Sequence, residues 1–259
     1  MTTTIDSRGS RDRIVLMTGG ASGIGAAAAR QFASQGATLA LLGRDEAAAH
    51  ALLEALPATT PAGMFAACDV TDEAAVEAAV ASVTARLGPP DVTVLSAGLL
   101  VRGLAEDTSR AVWNEVLDVN LTGTFLVARE AAKHMRRAGR GAIVMVSSEA
   151  GLRGIRGLAA YSVAKAGVVE LARCMALDLA DANVRVNCVC PGTTRTPMVL
   201  NAVAKEPDPA AALDRYADAR PLHRLGTPDE IAAAIVFLAS DAAAYATGSV
   251  LAIDGGFTA

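Results

Sequence analysis

Short runs rich in Val, Ile and Leu alternate along this chain with longer Ala-rich stretches of helical period, and that alternation restricts the fold more than any other feature. The apolar runs predict strands at residues 14–18, 38–42, 64–67, 92–96, 142–147, 184–189 and 249–253. The stretches between them predict helices at 22–35, 46–56, 72–87, 109–135, 159–180 and 228–239, the fourth broken near 119–123. Several strands are apolar on both alternations, as required when helices cover both faces of a parallel sheet. The expected fold is therefore α/β: one doubly wound parallel sheet of about seven strands, with its ligand crevice at the carboxyl ends of the strands. A chain of 259 residues with 52% hydrophobic content can bury such a core in one domain.

Two segments depart from the alternation. Residues 1–12 are polar and are read as a flexible segment before a single domain at 13–259. Residues 192–227 carry Pro197, Pro207, Pro209 and Pro221 and form a connection long enough to be a substrate-binding lid with short helices of its own. The formal charge of -4 is spread among interspersed acids and bases, which argues against nucleic-acid and membrane partners. No apolar stretch reaches the roughly 20 residues of a membrane helix, and no secretory segment is evident, so a cytoplasmic protein is expected. Cys68, Cys174, Cys188 and Cys190 lie among apolar residues and read as buried free thiols. A metal site at Cys188-Val189-Cys190 is not expected, since no second ligand pair accompanies it and strand alternation is read as separating the thiols.

The first strand runs into Thr18-Gly19-Gly20-Ala21-Ser22-Gly23-Ile24-Gly25 and then an Ala-rich helix. Glycines let the backbone turn sharply and approach a pyrophosphate, while the helix amino terminus offers free N–H groups and the positive dipole end. Taken by itself, such a turn either holds a dinucleotide or merely joins strand to helix. With its neighbours it resembles the short-chain dehydrogenase/reductase family, from about residue 13 to 257, in the branch of the 3-oxoacyl-carrier-protein reductases. Thr18, Gly19, Gly23 and Gly25 meet the family's TGxxxGxG. Asp69 with Val70 stands where the family contacts adenine. Ser96-Ala97-Gly98 replaces the usual Asn-Ala-Gly. Pro191-Gly192, then Thr194 and Thr196, match the element that holds the nicotinamide carboxamide, and Asp254-Gly255-Gly256 resembles the family's close.

Tyr161 and Lys165 lie one helical turn apart on one face, and the loop at 151–157 can return Ser148 from the end of the fifth strand to Tyr161. What the resemblance implies is a Rossmann-type oxidoreductase that moves a hydride between nicotinamide and a ketone or secondary alcohol. Tyr161 is then general acid and base, Ser148 polarises the carbonyl, Lys165 assists Tyr161 and binds the nicotinamide ribose, and Asn120 holds a proton-relay water. Gly19, Ser22, Gly23, Ile24, Gly25, Arg44, Asp69, Val70, Ser96, Ala97, Gly98, Pro191, Gly192, Thr194 and Thr196 complete the cofactor set with Tyr161 and Lys165. Gly43 occupies the position where NAD-selecting relatives carry a carboxylate, and Arg44 follows with a guanidinium suited to a 2′-phosphate, so NADP(H) is expected over NAD(H).

The alternatives are a non-catalytic dinucleotide-binding regulator or scaffold, and an isomerase or lyase on the same fold. The substrate pocket is expected between 148–157, 99–103 and 198–225, with Met198, Val199 and Leu200 as an apolar wall. Glu149 reads as a loop-capping acceptor, Arg153 and Arg156 as loop charges, and Trp113 and Tyr245 as packing residues. Ala131, Ala132, Ala164, Val168 and Ala172 read as small outer faces on which copies assemble, giving a homotetramer.

Overall fold

The computed structural model describes residues 12–259, so the proposed flexible segment 1–12 lies, Asp12 excepted, outside the described residues. Seven parallel strands, β1 (Ile14–Thr18), β2 (Thr38–Gly43), β3 (Met64–Ala67), β4 (Val92–Leu95), β5 (Gly141–Val146), β6 (Val184–Pro191) and β7 (Val250–Ile253), lie in the order β3-β2-β1-β4-β5-β6-β7. The order reverses between β1 and β4, and this switch point is where a crevice opens at the strands' carboxyl ends. Alternation explains the apolar strand sequences. Ile143 and Met145 of β5 enter one core and Val144 and Val146 the other, so each strand feeds two cores. Each such side chain, fully buried, contributes about 1.5–3 kcal/mol.

On one face lie α3 (Glu73–Leu87), α5 (Gly123–Ala138) and α6 (Ala159–Leu179); on the other lie α1 (Gly23–Ser34), α2 (Glu46–Glu54) and α9 (Pro228–Ala239). The helical stretch expected at 109–135 is α4 (Arg110–Leu117), a five-residue π turn (Asp118–Thr122) and α5. The break falls on Asn120. The lid carries α7 (Pro197–Val203) and α8 (Pro209–Asp218), each opened by a proline in its first turn and a side-chain cap, Thr196 or Asp208. Backbone bonds from Gly226 N to Thr193 O (3.1 Å) and from Arg195 N to Gly226 O (2.9 Å) close the base of that lid.

Four expectations are corrected here. Ala131, Ala164, Val168 and Ala172 are fully buried and Ala132 nearly so, Ala164 against α4 and the others in the core beneath the sheet; the outward faces of α5 and α6 carry Phe125, Val163 and Leu177 instead. A helix with Ala on every side has no strong facing preference of its own, so the sheet takes the small residues that allow close approach. Cys174 is exposed, unlike the other three thiols. Tyr245 is fully exposed and packs on nothing. Cys188 and Cys190, two apart on β6, share one face and one core, because the strand period is two.

Gly25 is required by close approach: a Cβ there would sit 2.1 Å from the carbonyl oxygen of Gly19, which itself turns with φ +65° against Ser96 and Ala97. Gly25→Ala is expected to destabilise the fold by about 1–3 kcal/mol, since the backbone of the turn must move. Gly154→Ala, with nothing within 4 Å of the added carbon, serves as the control. Urea denaturation checks the contrast, and equal midpoints for the two variants would contradict it.

Candidate active site

A cleft of about 540 Å³ runs along the carboxyl ends of the strands. It gathers Gly19, Ser22, Gly23 and Ile24 from the first turn, Arg44 after β2, Asp69 and Val70 after β3, and Ser96, Ala97 and Gly98 after β4. Ser148, Tyr161 and Lys165 line it, as do Pro191, Gly192, Thr194 and Thr196 after β6. Of the residues expected at the site, Gly25 and Asn120 do not line it; Gly25 shapes the turn from behind, and Asn120 lies buried beneath the floor.

Lys165 projects from α6 into the floor, where only 4% of it is exposed. Its Nζ donates to the carbonyl oxygen of Val146 at 3.0 Å, and its own carbonyl accepts from Ser147 Oγ at 2.7 Å. Among the described residues no carboxylate pairs with it, so burial pushes its pKa down to about 8. A Cβ on Gly98 would stand 2.9 Å from Asn120 Oδ1, so the glycine is what lets that side chain approach the loop, with the Lys165 Nζ beside it at 3.6 Å. Asn120 accepts from Leu99 N (3.2 Å) and donates to Leu99 O (2.8 Å) and Val116 O (2.9 Å), which pins the loop after β4 to the π turn. π turns recur where a helix must present a side chain out of register.

Tyr161 packs against Val116, Ala160 and Ala164 and is only partly buried, and it lines the cleft together with Ser148. Burial pushes the phenol up to about 12; Ser148 opposes that shift and the charge of Glu149 adds to it. The ammonium of Lys165 lies 5.7 Å from the centre of its ring.

Glu149 is the residue the sequence reading undervalued. It is buried, and one carboxylate oxygen accepts from Arg220 Nη2 at 2.5 Å and from Thr193 Oγ1 at 3.1 Å. Burial raises its pKa, with the Arg220 charge and the Thr193 bond pulling the other way. Arg220 follows α8, so this buried pair ties the lid to the loop that carries Ser148. Nothing local announces it, because 71 residues separate the partners. Phe257 was missed as well: it lines the cleft between the guanidinium groups of Arg153 and Arg220, at 4.7 and 4.8 Å from its ring centre. His223 lies outside the cleft lining, as does Arg156.

The cleft can be tested for a dinucleotide. Six helices, α2, α3, α4, α7, α8 and α9, have their first turns capped by a side chain, whereas α1, like α5 and α6, has neither a side-chain cap nor an acidic residue in its first turn. Its free N–H groups open on the cleft between Gly19 and Gly23, where Gly19 faces the backbone of Ser96 and Ala97 and Gly23 faces the Thr196 side chain, and this fits a diphosphate. At the far end Arg44 meets Asp69 at 3.5 Å, both partly exposed, while Asp69 also accepts from the backbone and hydroxyl of Thr71, which lowers its pKa. A Cβ at Gly43 would meet nothing within 4 Å. Gly192 is needed where β6 leaves the sheet, since a Cβ there would lie 2.6 Å from Asp254 Cα; Asp254 in turn holds Gly256 and Thr258. No helix among the described residues is long and apolar enough to cross a membrane.

Comparison with known proteins agrees with this geometry. Residues 19–258 match the family model described as enoyl-(acyl carrier protein) reductase. The chain is 40% identical to cis-4-hydroxycyclohexanecarboxylate dehydrogenase of Sinomonas cyclohexanicum, over 96% of this chain and 97% of that one. Its fold matches the crystal structure of levodione reductase with a TM-score of 0.92 at 36% identity, covering 96% and 98% of the two chains. A variant of the actinorhodin polyketide ketoreductase, solved with NADPH, matches with a TM-score of 0.90 at 33% identity over 95% and 97%. This chain belongs to the short-chain dehydrogenase/reductase family.

Proposed function

We propose that the protein is a nicotinamide-dependent oxidoreductase that interconverts a ketone and a secondary alcohol, with Tyr161 giving and taking the proton. The observation that carries this reading is the meeting of Ser148, Tyr161 and Lys165 in the same cleft onto which the uncapped start of α1 opens. The named relatives, a cis-4-hydroxycyclohexanecarboxylate dehydrogenase, a levodione reductase and a polyketide ketoreductase, support it. The cofactor, when bound, supplies or accepts the hydride. Gly19, Ser22, Gly23 and Ile24 would hold its diphosphate, in a turn that Gly25 shapes from behind, Asp69 and Val70 would hold its adenine, and Ser96, Ala97 and Gly98 would form the turn beside it. Pro191, Gly192, Thr194 and Thr196 hold its nicotinamide end.

The residues divide the proton chemistry in an orderly way. With its pKa raised, Tyr161 is a neutral phenol near pH 7 and donates to the oxygen of a carbonyl being reduced. Ser148 hydrogen-bonds the same oxygen and stabilises its developing negative charge. In the oxidative direction the ammonium of Lys165 favours the phenolate, and the lysine binds the nicotinamide ribose. Asn120, held against Leu99 and beside Lys165, completes the relay to solvent. Tyr161→Phe keeps the ring packing and removes the transferable proton, so turnover is expected to fall at least about 100-fold while cofactor binding survives. Retention of more than about a tenth of the wild-type rate would contradict the assignment.

Cofactor choice follows from the open space at Gly43 and the guanidinium of Arg44 beside it, which suit a 2′-phosphate. NADPH is expected to give the higher kcat/KM. Arg44→Ala should erase that preference, and Gly43→Asp, which sets a carboxylate where the phosphate would lie, should reverse it. A wild-type preference for NADH, or a preference indifferent to Arg44, would overturn this reading.

The protein is further proposed to work in the cytoplasm as a homotetramer. Phe125, Val163 and Leu177 on the outer faces of α5 and α6, Phe237 on α9, and the edge position of β7 support two self-complementary contacts. Light scattering at micromolar concentration should return four chains, and a monomer mass would contradict this.

A further inference from the structure

The walls of the cleft carry four cationic side chains, Arg44, Arg102, Lys165 and Arg220, against two carboxylates, Asp69 and Glu149. In a chain of formal charge -4 that local excess needs a reason. Two of the cations are answered: Arg44 faces Asp69 at 3.5 Å and Arg220 faces Glu149 at 2.5 Å. Lys165 belongs to the proton chemistry. Arg102 remains, and no carboxylate among the described residues pairs with it.

Arg102 sits in the loop after β4, at the substrate end of the cleft and opposite the lid. Its Nη2 donates to the hydroxyl of Tyr216 on α8 at 2.6 Å, and its guanidinium carbon lies 5.7 Å from the centre of that ring. The contact joins residues 114 apart in sequence across the mouth of the cleft. Its chemistry is one-sided. An arginine has five N–H donors and no acceptor, and only one of its nitrogens is engaged here. The Tyr216 hydroxyl accepts from Arg102, which leaves its own proton free to donate. Both side chains thus offer donors, and one carries a full positive charge, so the group they suit is an anion rich in acceptors. Leu100, Ile155, Met198, Val199 and Ala202 line the cleft between this end and Tyr161 with apolar surface.

We propose that the substrate is a ketone or secondary alcohol that carries a carboxylate or sulfonate at the end remote from the reacting carbon, held by Arg102 with the hydroxyl of Tyr216. The apolar wall takes the carbon spacer between the two ends. The proposal rests on the oxidoreductase reading above and adds the class of substrate. The planar fork of Arg102 binds such a group through two parallel hydrogen bonds, as an amine cannot.

The test compares 4-oxopentanoate, 5-oxohexanoate and 4-oxocyclohexanecarboxylate, each with its methyl ester, in steady-state reduction by the wild type, Arg102→Gln, Arg102→Lys and Tyr216→Phe. For at least one chain length the acid should exceed its ester in kcat/KM by about tenfold or more, the size of one charge-assisted hydrogen bond. Arg102→Gln should lower that ratio by about tenfold through KM for the acid, with part regained in Arg102→Lys and a smaller loss in Tyr216→Phe. A wild type that treats acid and ester alike, a ratio indifferent to Arg102, or a change confined to KM for the cofactor overturns the proposal.

Calorimetry with cyclohexanecarboxylate on the cofactor-loaded protein separates the two readings. Esters reduced without preference for acids leave the oxidoreductase and remove the anion site. Carboxylate binding that depends on Arg102, with no ketone reduced, supports the anion site and removes the oxidoreductase. Neither binding nor reduction overturns both.

Discussion

A buried ammonium with no counterion among the described residues is the constraint around which the active half of this molecule is arranged. Lys165 leaves α6 and ends under the carboxyl edge of β5 with the Val146 carbonyl oxygen as its hydrogen-bond acceptor. Removing a charge from water without a partner is unfavourable, and the depressed pKa of about 8 expresses that. The surroundings accept the cation through small and polar groups. Ser147 ties β5 to α6 through the Lys165 carbonyl, Gly151 passes where a Cβ would lie 2.7 Å from that carbonyl oxygen, and Gly98 lets Asn120 close on the loop beside the Nζ. These contacts bring the ends of β4 and β5 and one helix to one point, so Tyr161, one turn earlier on α6, arrives at the cleft with Ser148.

The same arrangement explains the division of labour along the cleft. At one end the sheet reversal between β1 and β4 brings two glycine-bearing turns into contact, and the start of α1 is left uncapped. At the other, the lid is held by the buried Glu149–Arg220 pair and by Arg102 with Tyr216 at the rim. The two ties differ in kind. A buried pair leaves a destabilising charge if one partner is removed, about 3–5 kcal/mol, so it fixes where the lid sits. An exposed bond at the mouth costs little to open and so leaves the lid able to admit a ligand.

The fold was legible because strand composition and helical period are local properties. All seven strands lie within two residues of the sequence expectation, and the break in the helical stretch falls at Asn120 as expected. The Tyr161–Lys165 pair was legible because four residues on a helix share a face. Long-range pairing was not legible: nothing near Glu149 points to Arg220, or near Arg102 to Tyr216, since neither pair has a spacing rule. Helix orientation failed for a different reason. With Ala on most sides of α6 the sequence does not show which side is buried, so Ala164, Val168 and Ala172, expected on the outer face, lie inward. Cys174 and Tyr245 show the limit of reading burial from residue type alone.

The central claim is that the fold tolerates an unfavourable buried cation at Lys165 because the proton chemistry requires it. The direct measurement is the unfolding free energy of wild type and Lys165→Met by urea titration from pH 7 to pH 10, alongside turnover. The lysine titrates near 8 when folded and near 10.5 when unfolded, so the unfolded state binds more protons between those values and wild-type stability rises with pH there. Tyr161, shifted from 10 to about 12, contributes with the opposite sign only once pH passes 10, at the top of the titrated range. The account predicts that Lys165→Met is inactive, is the more stable protein at pH 7, and loses that advantage as pH approaches 10. A variant that is less stable at both ends of the range, or a stability difference that does not change with pH, would contradict it.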